Sequence, residues 1–166
     1  MLVPFGNERM AAALRHLDTL VTSTPPDIAI VIFLQVMTPS DLDIITSSAW
    51  IQKRFNITNI DGSSWLSPYY GTVTLINTRL IILSVFRVPF FSKFDRDGLF
   101  IDVKLVTSIP AVSPGDSSKV LRLCNVHLES LVADPPVRPH QLSAAAAHLH
   151  DPEVACALLV GDLNAI

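Results

Sequence analysis

Two short stretches of this sequence carry groups able to hold a phosphate or move a proton. Gly161, Asp162, Leu163 and Asn164 follow the apolar run 154–160, so Asp162 and Asn164 emerge at a strand's carboxyl end. Open α/β sheets place their sites there. An aspartate accepts hydrogen bonds and can orient a water, and an asparagine amide donates to a phosphoryl oxygen. By itself the tetrapeptide also reads as a plain turn, because Gly, Asp and Asn are all turn formers. The second stretch, Asn125-Val126-His127-Leu128-Glu129-Ser130, closes another strand and sets a histidine where the chain leaves the sheet. A lone histidine is most often structural, but two such strand ends are harder to dismiss. Arg96, taken alone, reads as a solvated turn residue.

Those strand ends need a scaffold, and the sequence patterns one. Asn7 fits the cap of a helix over residues 8–22, where Met10, Leu14, Leu17 and Val21 form an apolar stripe that Pro25 and Pro26 stop. Residues 28–34 are continuously apolar and β-branched, the pattern of a strand buried on both faces. Thr38, Pro39 and Asp41 have the spacing of a capping box with proline at the first helical position. A helical turn around Trp50 comes next. Residues 71–76 and 80–86, joined by Asn77-Thr78-Arg79, read as a hairpin. Segments 99–105 and 120–126 are further strands, with a breaker-rich loop at 109–118 between them. Pro139 opens an alanine-rich helix reaching His150, and 154–160 is a last buried strand. The continuous apolar character of 28–34, 120–126 and 154–160 predicts that these three share one sheet.

Taken together with Phe33-Leu34-Gln35, Tyr70 through Leu75 and Arg96-Asp97-Gly98-Leu99, the His127-Leu128-Glu129-Ser130 and Gly161–Asn164 motifs resemble the endonuclease/exonuclease/phosphatase superfamily. The tyrosyl-DNA 5′-phosphodiesterase type is the nearest match, over almost the whole chain. The resemblance implies an α/β (α+β) sandwich: two mixed β-sheets packed face to face with helices outside. It implies Mg²⁺-dependent cleavage of phosphoester bonds, with a phosphoester substrate that includes nucleic-acid ends. Asp162 would then orient the attacking water, Asn164 and His127 would contact the scissile phosphate, and Arg96 would lie near the substrate. The departures are equally specific. Val36 stands where the family has its Mg²⁺-binding glutamate, so no metal ligand is assigned. Asp41 and Asp43, on the following helix, read as cap and solvated face. The family's opening strand and closing Asp-His pair have no counterpart within residues 1–166, which predicts a partial, incomplete domain with impaired catalysis or a non-catalytic member.

Composition limits the alternatives. The chain has 166 residues, 49% hydrophobic and only 16% charged, enough apolar material for a core and too little charge for disorder. The net charge of −3 and the lack of a dense Lys/Arg run argue against sequence-independent nucleic-acid binding through bulk charge. No apolar run approaches the ~20 residues of a membrane span, and the first residues lack the basic segment of a secretory signal. These features predict a soluble intracellular protein with no membrane partner, and they leave the oligomeric state open. Cys124 and Cys156 make no disulfide framework, and each reads as a small, reduced core residue.

Overall fold

Pro25 and Pro26 separate the first helix from the first strand, and strand pairing beyond them divides the chain. In the computed structural model, which describes residues 6–105, 119–131 and 136–165, the chain forms two compact units, Met1–Arg79 and Leu80–Ile166. The first holds α1 (Gly6–Ser23), β1 (Val31–Met37), α2 (Pro39–Ser47), α3 (Ala49–Arg54), β2 (Phe55–Ile57) and β3 (Gly71–Asn77). Its sheet is antiparallel throughout, in the order β1-β3-β2. The apolar stripe of α1 does what its spacing predicts. Leu14 and Val21 are buried, and Met10 and Leu17 pack on the same core with Leu42, Ile45, Ile51, Phe55 and Leu75. The backbone of Asn7 lies within α1.

Helix α2 starts as its sequence spells out. Thr38 Oγ1 accepts the Asp41 N–H at 3.3 Å, and the Asp41 carboxylate accepts the Thr38 N–H at 2.9 Å. Such caps contribute about 0.5–2 kcal/mol. Asp41 is therefore committed to the helix start, and Asp43 is exposed. Just before the cap, the β1–β3 register shifts between Leu34 and Met37, and Val36 has φ of 58°. A β-branched residue rarely adopts this left-handed conformation. Val36 is 49% exposed.

The second unit holds β4 (Ile82–Pro89), β5 (Asp97–Lys104), β6 (Val120–His127), α4 (Arg138–Leu149) and β7 (Val154–Asp162). Its mixed sheet runs β4-β5-β6-β7, with β6 and β7 parallel across the α4 connection and the other pairs antiparallel. Phe100, Cys124, Val126, Leu128 and Ala145 form its core. Phe86 stacks on Phe100 with centroids 5.0 Å apart, and the Arg122 guanidinium lies 5.2 Å from the Phe86 ring centre. The small side chain of Ala145 lets α4 sit directly on this apolar layer. With one antiparallel and one mixed sheet plus helices, the fold is α+β. Among the described residues, no helix is long and apolar enough to cross a membrane.

Four expectations are corrected. β1 belongs to the first sheet while β6 and β7 belong to the second, so the three apolar runs do not share one sheet. β3 and β4 do not pair as a hairpin, because each joins a different sheet. β7 is largely exposed, since it lies at the edge of its sheet. Cys156 on that strand is exposed as well; Cys124 alone is a core cysteine, its thiol pushed up to about 12 by burial and by the Asp97 charge. The predicted loop 109–118 lies outside the described residues.

Candidate active site

Parallel pairing of β6 and β7 brings the two polar strand ends side by side. His127 and Asp162 are register partners, and His127 Nε2 lies 3.8 Å from Asp162 Oδ2. That gap is too long for a hydrogen bond and short enough for one shared oxygen to bridge. The antiparallel pairing of β5 with β6 places the start of β5 beside the end of β6. Arg96, immediately before β5, therefore meets His127, with Nη1 2.9 Å from Nδ1. Arg96 is 7% exposed, so it is no solvated turn residue.

That contact fixes the histidine's proton. A guanidinium only donates, so Nδ1 must accept, and the neutral ring carries its hydrogen on Nε2, facing Asp162. Burial and the Arg96 charge lower the His127 pKa below the usual histidine value, against an opposing pull from Asp162. The native protein therefore binds fewer protons at His127 than the unfolded chain does. The stability linked to this group is full above about pH 6.5 and is lost as pH falls toward the lower folded value. Arg96→Gln removes one of the two lowering influences, so the His127 titration seen by NMR should move upward. An unchanged midpoint would mean that Arg96 does not face the ring.

The turn after β7 is held from both ends. The Asn164 N–H donates to Asp162 Oδ1 at 2.9 Å, leaving Oδ2 toward His127, and Asn164 Nδ2 donates to the Leu128 carbonyl at 2.9 Å. Asn164 has φ of 47°, a conformation asparagine tolerates better than most residues. One amide hydrogen of its side chain stays available. The Asp162 side chain is 54% exposed, so water reaches it. The structure thus gathers Arg96, His127, Asp162 and Asn164 at one end of the second sheet.

Sequence reasoning missed the layer beneath. Glu129 is buried, and its carboxylate accepts from Ser92 Oγ at 2.6 Å, the Lys93 N–H at 3.1 Å and Gln141 Nε2 at 3.4 Å. Gln141 Oε1 accepts the Glu129 N–H at 2.8 Å, and its Nε2 also donates to the Phe91 carbonyl at 3.0 Å. This network ties the 90–96 connection, which delivers Arg96, to the segment after His127 and to α4. Its members lie 12 to 50 positions apart, and no local pattern marks them.

Among the described residues of the second unit, the site offers Mg²⁺ one uncommitted carboxylate. Mg²⁺ is held through one or two carboxylates with water and substrate phosphates. Among the described residues at this site that carboxylate is Asp162, because Glu129 is spent on its network. Among the described residues no three His, Cys, Asp or Glu side chains cluster.

The fold is shared with solved structures of tyrosyl-DNA phosphodiesterase 2 and Nocturnin. Tyrosyl-DNA phosphodiesterase 2 of C. elegans superposes with a TM-score of 0.68 at 23% identity, covering 97% of this chain and 44% of that one. A humanised D. rerio tyrosyl-DNA phosphodiesterase 2 gives 0.69 at 20% identity, covering 97% and 62%. The human Nocturnin catalytic domain, solved with a bound sulfate anion, gives 0.65 at 11%, covering 96% and 58%. The chain therefore spans roughly half the length of these structures. No family profile matches the sequence, and no curated protein is significantly similar to it.

Proposed function

We propose that the chain is part of an endonuclease/exonuclease/phosphatase domain that binds phosphoester groups at nucleic-acid ends through Arg96, His127, Asp162 and Asn164. The observation that carries this reading is the His127–Asp162 pair, 3.8 Å apart, with the ring's tautomer set by Arg96. His127 Nε2–H and the remaining Asn164 N–H donate to the oxygens of a phosphate seated over the strand ends. Asp162 Oδ2 accepts from a water and orients it. The likeness to tyrosyl-DNA phosphodiesterase 2 makes a DNA 5′ end the substrate to test first. Hydrolysis is impaired, because in-line phosphoryl transfer relies on charge neutralisation and Val36 stands at the position the resemblance gives to the metal-binding glutamate.

Fluorescence anisotropy with 5′-phosphorylated and 5′-hydroxyl oligonucleotides tests the binding. The phosphorylated strand should bind more tightly, and His127→Ala should weaken it about 10-fold or more, as expected for a hydrogen bond to a charged group. Equal affinity for both strands, or no effect of His127→Ala, refutes the reading. Calorimetry on Val36→Glu is its second arm, with Mg²⁺ affinity expected to rise. Unchanged affinity means that position 36 is not the metal-ligand position.

A further inference from the structure

Within the first unit, the end of α1, the approach to β1, the end of α3 and the turn after β3 enclose a cleft of about 380 Å³, within the usual range for small-molecule sites. It lies at the far end of β1 from Val36, since β1 runs away from it toward Met37. Its walls have two characters. Pro25, Pro26 and Ile28 supply apolar lining and Lys53, Arg54 and Arg79 cationic lining, with no carboxylate among the lining residues.

The positive charge there is uncompensated. None of these three cations forms an ion pair among the described residues, although acids outnumber bases in the chain. Arg79 is held in place by neutral groups. Asn77 Oδ1 accepts its N–H at 3.0 Å and its Nε–H at 3.1 Å, and its guanidinium donates to the carbonyls of Pro26 and Ile28. Carbonyls fix the side chain without cancelling its charge, and two guanidinium hydrogens remain. Arg54 makes one long contact, 3.4 Å to Thr22 Oγ1. Lys53 is exposed and its ammonium has three donors. Lys53 and Arg54 also lie in the last turn of α3, where cations complement the helix terminus. A terminus worth about half a charge does not account for three cations, and Arg79 is not on that helix.

We propose that this cleft is a nucleotide-phosphate site, in which Lys53, Arg54 and Arg79 hold the phosphate and the Pro25, Pro26 and Ile28 lining receives the base. Because Arg79 is already immobilised, binding loses less side-chain entropy than it would at a floppy surface cluster. The assignment is independent of the function proposed for the second unit.

The test is calorimetric titration of the full chain with adenosine 5′-monophosphate, adenosine, and an oligothymidylate lacking terminal phosphates. The monophosphate should bind and adenosine should bind at least 10-fold more weakly. Lys53→Glu should weaken the monophosphate at least 10-fold, and Lys53→Arg should restore it. Tighter binding of the oligothymidylate with the same Lys53 dependence identifies a strand's backbone as the phosphate source. Absence of monophosphate binding, or binding indifferent to Lys53→Glu, overturns the assignment.

Discussion

Gly161→Ala is expected to destabilise the chain by more than about 3 kcal/mol, in the range reserved for substitutions that break packing outright. Gly161 is the register partner of Val126 and has φ of 143°, a conformation L residues rarely adopt. A Cβ there would overlap the Val126 carbonyl oxygen, and the Val126 backbone C and N lie within 3.0 Å of it. The obstruction is the backbone of an interior strand, so no rotamer change relieves it. β6 and β7 would have to part at the step before His127 meets Asp162. The substitution should therefore lower the urea midpoint at unchanged m-value and also abolish binding at the candidate site. A loss below about 1 kcal/mol would show that the close approach of β6 and β7 is not required.

The second large effect is expected from the ion pair between β5 and β6. Asp102 and Arg122 are register partners, and their side chains are about one-tenth exposed. Arg122 donates to both carboxylate oxygens, from Nε at 2.6 Å and Nη2 at 2.9 Å, and Ser84 Oγ donates to Asp102 Oδ2 at 2.8 Å. Arg122 Nη1 also donates to the His148 carbonyl at 2.8 Å, which joins the sheet to the end of α4. Arg122→Met leaves the carboxylate buried and unpaired, at a cost of about 3–5 kcal/mol. Asp102→Leu with Arg122→Met should cost clearly less than the sum of the single substitutions, because no charge is then left stranded. Strict additivity in denaturant melts would show that the pair is not coupled. The pH dependence has a definite sign. Burial raises the Asp102 pKa, but hydrogen bonds from Arg122 and Ser84 and the Arg122 charge outweigh it, so the folded value lies below the usual one. The pair's stabilisation is thus present above about pH 4 and is lost as pH falls through the folded value. In Arg122→Met burial, the largest influence on Asp102, is opposed only by Ser84, so this acid-side loss should disappear.

What the sequence alone determined was local. The cap formed by Thr38 and Asp41 needs residues three apart, and the stripe of Met10, Leu14, Leu17 and Val21 needs one helix. Helix and cap geometry decide both before any partner arrives. The placement of His127 and Asp162 at strand ends was legible for the same reason, since an apolar run followed by turn formers ends where it reads as ending. Partnership was not legible. Residues 28–34 and 154–160 look alike as apolar runs, yet one strand pairs with β3 and the other closes the edge of the β4-to-β7 sheet. The short segment between β3 and β4 reads the same whether the strands pair or separate. Only the register of β5, β6 and β7 buries Arg96 against His127, and only the close approach of α4 gives Glu129 a partner in Gln141. Backbone hydrogen bonds between strands are the same for every sequence, so what chooses among pairings is side-chain packing summed over the assembled unit.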